Sequence, residues 1–427
     1  MLLKNGHLVD PSQAIDGVTD IRIEEGKISE VGPDLPEEEN EVVYDLSGCY
    51  VVPGLIDTHV HMRDPGQEES GDIESEAKAA IAGGFTSVVA MPNTSPVIDN
   101  VPMIRYICDK SARVGYADVL QTAAITKGEQ GVELTEIGLL HDAGAIAFTE
   151  DGKSVANSGV MKKAMVYSKP HDVLFMSHCE DADLKGSGCM NAGALADELG
   201  LEGISNEVED LMIVRDIMLA KMTDVRLHIQ HLSTGSGLDI VRDAQAKGLP
   251  ITCEVTPHHL FLTEEKVRGY NTSAKVAPPL RKKEDNEKLI AGLKDGSITC
   301  IATDHAPHAA EKKDIEFERA ANGISSIEVA FPLVWTKLVE TGECTLSDVV
   351  NLMSYNPAKL LRIEKGSLTV GKVADIMVFN PNIEKTVDSQ HFYSKGKNCP
   401  YNGEVLSGWP LMVFRAGKVV LKDGEIV

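Results

Sequence analysis

Eight apolar runs of β type alternate with helix-like segments through the middle of this chain, and that alternation restricts the fold more than any other feature. The runs are Tyr50–Ile56, Thr86–Met91, Asp118–Ile125, Gly144–Phe148, Val173–Met176, Val225–Ile229, Pro250–Val255 and Thr299–Ala302. Helical patterns such as Glu74–Ala82 and Glu207–Met218 lie between them. Strands that are apolar on both faces and separated by helices belong to a parallel sheet covered on both sides. Eight such units over about 300 residues predict a closed α/β fold of the (β/α)8 TIM type. The alternative, an open doubly wound sheet, would carry a Gly-rich phosphate loop after its first strand, and none stands there.

The two ends of the chain have another character. Leu2–Asn5, Asp20–Glu24, Lys27–Val31 and Val42–Asp45 alternate apolar and polar residues, with Glu25-Gly26 as a hairpin signal. Ile376–Asn380, Leu411–Arg415 and Lys418–Leu421 do the same, punctuated by Ala416-Gly417 and Asp423-Gly424. Chain ends often lie close together, so both ends are expected to build one small β-sandwich domain. The division is residues 1–50 and 365–427 for this composite domain and 51–364 for the barrel.

The residues just past the apolar runs carry the chemistry. The first run leads into Asp57-Thr-His59-Val-His61, the fourth into Glu150-Asp151-Gly152, the fifth into Ser177-His178, the sixth into Gln230-His231 and the eighth into Thr303-Asp304-His305. Thirteen histidines placed at random would rarely gather at strand ends in this way. In a (β/α)8 barrel those ends converge on one face. Neutral imidazole and carboxylate are ligands for zinc and similar divalent ions. The spacing of His59 and His61 puts both rings on one side of a strand, so His59, His61, His178, His231 and Asp304 form an expected metal set. Asp-Gly is also a turn dipeptide, but Asp151 at a strand end suits a carboxylate bridging two cations. Asp304 has a second expected task, as the general base that deprotonates a metal-activated water and returns the proton to the departing nitrogen. His258-His259 comes after the seventh run and is read as structural.

Composition excludes other classes. No run reaches the roughly 18 apolar residues that span a membrane, and MLLKNGHLVDPS lacks a signal-peptide layout. The formal net charge of −24 repels phosphate backbones, so no nucleic-acid partner is expected. The acidic cluster Pro36–Glu41 reads as a solvated loop. Eight scattered cysteines contain no Cys-x-x-Cys pair, which suggests free thiols in a cytoplasmic protein rather than a thiolate site or a disulfide framework.

The segment Gly54-Leu-Ile-Asp-Thr-His-Val-His61 resembles the signature of the amidohydrolase superfamily. Three further segments are similar to class I dihydroorotases within it: His61-Met-Arg63-Asp-Pro-Gly66, Met91-Pro-Asn93-Thr94 and Thr303-Asp-His-Ala-Pro-His308. The resemblance covers nearly the whole chain. It implies interconversion of L-dihydroorotate and N-carbamoyl-L-aspartate in pyrimidine (UMP) biosynthesis, with one or two Zn²⁺ ions per subunit. His59 and His61 would serve one ion, His178 and His231 the other, with Asp151 between them. Substrate contacts are implied for His61, Arg63, Asn93, Ala277, His308, Asn322 and Gly323, where Arg63 clamps the substrate carboxylate. His305 is read as supporting its neighbours, and Lys153, beyond a strand end, is not assigned as a ligand. Two segments depart from the family pattern. Ala277-Pro278-Pro279-Leu-Arg281 has alanine where relatives carry a substrate-contacting Asn, so no side-chain donor stands there. Ala320-Ala-Asn-Gly323 lacks the usual Phe before the glycine. The charged segment Ala309–Ser326 reads as a lid or a solvated helix. Self-association, and association with aspartate transcarbamoylase, are the partner relations the resemblance admits. The competing readings are another cyclic-amide hydrolase (hydantoinase, dihydropyrimidinase or allantoinase), which needs no carboxylate clamp at Arg63, and an inactive paralogue, which should have lost ligands.

Overall fold

A computed structural model describes residues 1–427. Leu55–Val60, Phe85–Ala90, Asp118–Gln121 (resumed at Ala123–Ala124), Phe148–Thr149, Leu174–Ser177, Arg226–Ile229, Ile251–Val255 and Cys300–Ile301 pair in parallel in chain order. The His61 amide donates to the His305 carbonyl at 2.8 Å, beside the Val60–His305 bridge, and so joins the eighth strand to the first. This is a (β/α)8 barrel. The third strand breaks at Thr122, whose amide and hydroxyl both donate to the Ala90 carbonyl (3.1 and 2.7 Å).

The helices between strands form where their sequence signals stand. Ile73–Ala82 opens on a capping box between Asp72 and Ser75, and Val101–Val114 opens on Asn100 and ends before Gly115 at φ 79°. Their apolar residues join one large core that also takes Phe85, Phe148, Phe175 and Phe331.

Both chain ends form β structure. One sheet orders Lys27–Gly32, Asp20–Glu24, Leu2–Lys4 and Val43–Asp45; a second orders Glu425–Ile426, Lys418–Lys422, Pro410–Arg415, Ile376–Phe379, Tyr50–Pro53, His7–Asp10 and Ile15–Val18. The two-residue period of a strand explains how the second sheet serves two cores. Val51, Ile376 and Val378 face the small core with Leu3, Ile21 and Phe414, whereas Val52, Met377 and Phe379 face the barrel core. Glu25-Gly26 and Ala416-Gly417 both turn with positive φ (48° and 79°; 46° and 74°), the primed hairpin geometry. The two turns touch: a Cβ on Gly26 would lie 2.8 Å from the Ala416 carbonyl oxygen.

Three sequence expectations need correction. Tyr50–Ile56 is not one strand. Tyr50–Pro53 pairs in the seven-stranded sheet with Ile376–Phe379 and His7–Asp10, and the barrel strand starts at Leu55. The break falls at Gly54, where a Cβ would collide with Thr86 at 2.4 Å. The acidic cluster at 36–41 is not wholly solvated, because Glu41 accepts from the buried Arg22 Nε at 3.1 Å. Finally, Ala309–Ser326 is not a helix. Apart from the turn Ala310–Lys312 it is irregular and tied down: the buried Lys313 Nζ donates to the carbonyls of Thr272, Lys275 and Ala321, and the Gly323 amide donates to Lys275.

Candidate active site

His59 lies within the first barrel strand and His61 one residue past it, with side chains on the same side by the strand period. Asp151, His178, His231 and Asp304 sit just beyond the fourth, fifth, sixth and eighth strands. All six are buried, and the fold brings them into one cluster. His59 Nε2 stands 3.2 Å from Asp151 Oδ1 and His61 Nε2 stands 3.2 Å from Asp151 Oδ2. Across Asp151, His178 Nδ1 lies 2.8 Å from His231 Nε2, and these atoms are 3.6 and 3.5 Å from Asp151 Oδ1. The donor atoms therefore fall into two triads that share Asp151: His59, His61 and Asp151, and Asp151, His178 and His231, each with ligand atoms within 4.8 Å of one another. Asp304 belongs to neither triad but adjoins the first, with Oδ1 3.1 Å from His61 Nε2 and 3.5 Å from His59 Nε2.

The ring nitrogens are oriented for cation binding. Glu254 Oε1 accepts from His59 Nδ1 at 2.8 Å, so Nε2 is the nitrogen that faces the cluster, buried and without a hydrogen-bond partner. Asn93 Oδ1 accepts from His61 Nδ1 at 3.0 Å, and Glu180 Oε2 accepts from His178 Nε2 at 3.0 Å; in both rings the opposite nitrogen faces the cluster. Burial disfavours charge on Asp151 and Asp304, yet the surrounding imidazoles outweigh it and hold both carboxyls below their ordinary range. The rings hold the carboxyls down by carrying protons toward them, and a divalent cation can take the place of those protons. The donor set fits a divalent metal ion, with His59, His61, Asp151, His178 and His231 as its holders and Asp304 alongside.

Glu254 was not singled out from the sequence. It lies in the seventh strand, Ile251–Val255, and its only signal is an acid at an interior strand position. It accepts from Thr58 Oγ1 at 2.5 Å, His228 Nε2 at 3.0 Å and His59 Nδ1. Burial raises its pKa, but the bonds from His228 and His59 more than reverse that and keep it ionised. Glu254→Gln would point an amide N–H at one of these donors. The expected result is a divalent-metal affinity lower by roughly 10–100-fold with unchanged far-ultraviolet circular dichroism, read by competition with a chromophoric chelator. Undiminished affinity would remove this role. Asp57, in the first strand, ties that strand to the end of the eighth, accepting from the amides of His59 and Thr303 (3.1 and 3.0 Å) and from the Thr303 hydroxyl (2.5 Å).

Over the metal cluster lies a cavity of about 140 Å³ lined by His61, Arg63, Asn93, Asp151, His178, His231, Ala277, Asp304, His308, Asn322 and Gly323 among others. Arg63 is buried. Its Nε donates to the Pro307 carbonyl at 3.0 Å and its Nη2 approaches His308 Nε2 at 3.2 Å, and no carboxylate of the chain pairs with it. Burial lowers its pKa to about 10, with Asp304 opposing the fall, so it stays charged near neutrality. His308 is pushed down to about 2 by burial and by the Arg63 charge and is therefore neutral. Its Nε2 can donate to the Asn322 carbonyl at 2.7 Å or accept from Arg63 but not both, and its Nδ1 is buried without a partner. The Asn93 amide nitrogen donates to the Asp151 carbonyl at 3.2 Å. Ala277 offers the cavity only backbone and a methyl group.

Three site residues hold left-handed backbone: Arg63 (φ 61°), His231 (φ 30°) and Asp304 (φ 46°). Such conformations cost non-glycine residues about 1–3 kcal/mol each and persist where the surroundings enforce them. Lys185 also lines the cavity and, with Gly152 and His178, borders a second hollow of about 380 Å³; a lysine in a short helix gives no sequence signal. His305 is turned elsewhere, with Nε2 2.8 Å from Glu76. Lys153 Nζ reaches the Glu129 carbonyl rather than the cluster. His259 bonds to Thr256 and the Pro278 carbonyl, and His258 is buried without partners.

A family model described as dihydro-orotase-like matches residues 48–236. A dihydroorotase from Ruminiclostridium cellulolyticum is 46% identical over 422 residues, 99% of this chain and 98% of that protein. A dihydroorotase from Acetivibrio thermocellus is 46% identical over 423 residues, 99% of each. Among solved structures, an L-hydantoinase (dihydropyrimidinase) from Arthrobacter aurescens is similar with a TM-score of 0.89 at 27% identity, covering 100% of this chain and 97% of the other.

Proposed function

This chain belongs to the dihydroorotase family, and from that premise we propose how its residues carry out the reversible hydrolysis of L-dihydroorotate to N-carbamoyl-L-aspartate. The protein is a cyclic amidohydrolase of pyrimidine biosynthesis with a metal cofactor. The cofactor we assign is Zn²⁺, for which imidazole and carboxylate donors are suited, as one or two ions with Asp151 shared. When bound, such an ion polarises a carbonyl oxygen and makes water acidic enough to attack near neutral pH.

The chain's own groups do the rest. Asp304, ionised and beside His61, takes the proton of the attacking water and delivers it to the ring nitrogen that departs; ring closure reverses both transfers. Arg63 holds the substrate carboxylate through paired N–H donors. His308, kept neutral, donates Nδ1–H to that carboxylate in the tautomer whose Nε2 accepts from Arg63, and Asn93 keeps His61 and Asp151 in register while bordering the substrate. Asn322, Gly323 and Ala277 offer backbone groups to the ring. The narrow cavity admits few waters besides the reacting one.

One observation carries the choice of substrate: a buried, charged guanidinium with no carboxylate partner in the chain, placed at the rim of the metal cluster. Uncharged rings such as hydantoin would leave it unpaired at the cost of its desolvation. The likeness in fold to a hydantoinase is shared scaffold at 27% identity, and the full ligand set argues against an inactive paralogue. The test is a panel of dihydroorotate, dihydrouracil, hydantoin and allantoin on the purified protein, with metal analysis of the same sample. We expect kcat/KM for dihydroorotate to exceed that for each uncharged ring by at least roughly 10²-fold and zinc at one to two per chain. Comparable rates on hydantoin, or a metal-free active sample, would overturn the reading. No helix is long and apolar enough to cross a membrane. We assign the cytoplasm as compartment, where the eight free thiols stay reduced.

A further inference from the structure

We infer that His141, Asp142 and His171 form a separate metal site, for Zn²⁺ or a similar late first-row divalent ion, at the end of the barrel opposite the catalytic rim. The inference is independent of the substrate reading. Outside the catalytic cluster, these three are the one group of imidazole and carboxylate side chains whose ligand atoms lie within 4.8 Å of one another. His141 and Asp142 end helix Ile137–Asp142, which precedes the fourth barrel strand. His171 ends the turn Lys169–His171, which precedes the fifth. Segments that lead into barrel strands lie at the stem face, where residues serve stability rather than catalysis.

The geometry is partly built already. His141 Nδ1 stands 3.3 Å from Asp142 Oδ1. Zinc bonds of about 2.0–2.1 Å at tetrahedral angles separate ligand atoms by about 3.3 Å, so this edge has the required length. The third ligand reaches the site across Gly138. A Cβ on Gly138 would lie 2.5 Å from His171 Nε2 and 2.8 Å from its Cε1, so the imidazole fills the space of a missing side chain. Gly138 and His141 are three apart on the helix and share one face. The His171 ring is thereby set beside the His141 ring, with centroids 5.7 Å apart. Glycine weakens a helix, and Gly138 does not hold positive φ, so the backbone alone does not call for it; the seated ring does. Apart from the His141–Asp142 contact, no side-chain hydrogen bond or ion pair within the chain uses any of the three. His141 and Asp142 are exposed (42% and 69%) and can rotate the last fraction of an ångström onto an ion.

The donor set selects the cation. Two imidazoles and a carboxylate suit zinc and its neighbours in the first transition row, whereas Mg²⁺ and Ca²⁺ take oxygen ligands. Three protein ligands leave a position for water, and the open surface makes this ion exchangeable where the buried cluster's is not. An ion held here ties the approach to the strand end that carries Asp151 to the approach to the strand that carries His178. It binds the folded chain alone, because unfolding separates helix from turn, and so it stabilises the fold by mass action.

Isothermal titration of Zn²⁺ into the gel-filtered protein, with its catalytic metal in place, tests this. One further ion per chain should bind at micromolar concentration and raise Tm. His171→Ala removes a ligand, and Gly138→Ala displaces the ring that carries it while favouring the helix. Each should weaken this binding by at least roughly tenfold, the cost of disturbing even an outer partner of a metal ligand, and abolish the rise in Tm with turnover of dihydroorotate unchanged. His141→Gln, at an exposed position, should do the same and keeps the test open if either of the others misfolds. Mg²⁺ should neither bind there saturably nor compete. Absence of a further ion would overturn the inference. So would binding that survives all three substitutions, which would belong to the catalytic cluster, or Mg²⁺ competing on equal terms, which would mark mere attraction to an acidic surface.

Discussion

Replacing Asp304 by asparagine lowers kcat for dihydroorotate hydrolysis by roughly 10³-fold or more while circular dichroism, metal content and KM change little. General base catalysis contributes roughly 10²–10⁴-fold, and the residue placed to supply it is the carboxylate that lies beside the Nε2 atoms of His59 and His61 and lines the cavity without belonging to either triad. Asparagine keeps the shape and can still bond to His61, but it cannot accept the proton of water. A loss confined to kcat marks an interaction made in the transition state rather than on binding. Ring opening is followed by ultraviolet absorbance and metal by elemental analysis of the same protein. Turnover within tenfold of wild type would eliminate Asp304 as the base. A variant that loses its metal would instead make Asp304 a holder of the ion.

The parts of this molecule that sequence reveals are those governed by a short period or a fixed offset. Alternating strands and helices announce the barrel, because a parallel strand must be apolar on both faces. His59-x-His61 announces a shared target, because residues two apart on a strand point the same way. The C-terminal ends of strands four, five, six and eight place Asp151, His178, His231 and Asp304 on one rim without any knowledge of distances. What the sequence conceals depends on long-range contact. Tyr50–Pro53 and Leu55–Val60 read as one apolar run, and only pairing with Ile376–Phe379, more than 300 residues away in sequence, separates them. Glu254 looks like a stray acid in a strand, yet its partners Thr58, His59 and His228 come from two other strands. Ala309–Ser326 has the charge of a solvated helix, but Lys313 is drawn inward by three carbonyls, a cost and a gain that local composition does not register.

Arg63→Met is the change that separates binding of a charged ring from chemistry on any ring. Methionine matches the length of the aliphatic stem and leaves no charge, so the substrate carboxylate enters a buried site with its principal donor gone. Truncating one side of a buried charge-assisted pair costs roughly 2–5 kcal/mol, equivalent to a fall in kcat/KM of roughly 30-fold to several thousand-fold. For an uncharged ring the sign differs. Wild-type Arg63 is desolvated without a partner when such a ring binds, so removing it should leave that slow hydrolysis unchanged or raise it a little. His308 sharpens the prediction, because the Arg63 charge is one of the two largest forces holding its pKa down. In the variant that charge is gone and burial remains, so the imidazole becomes easier to protonate. Measuring kcat/KM for dihydroorotate and dihydrouracil on both proteins gives the specificity ratio directly. A ratio that stays fixed, with both substrates losing equally, would show that Arg63 supports the cavity's shape rather than its charge preference.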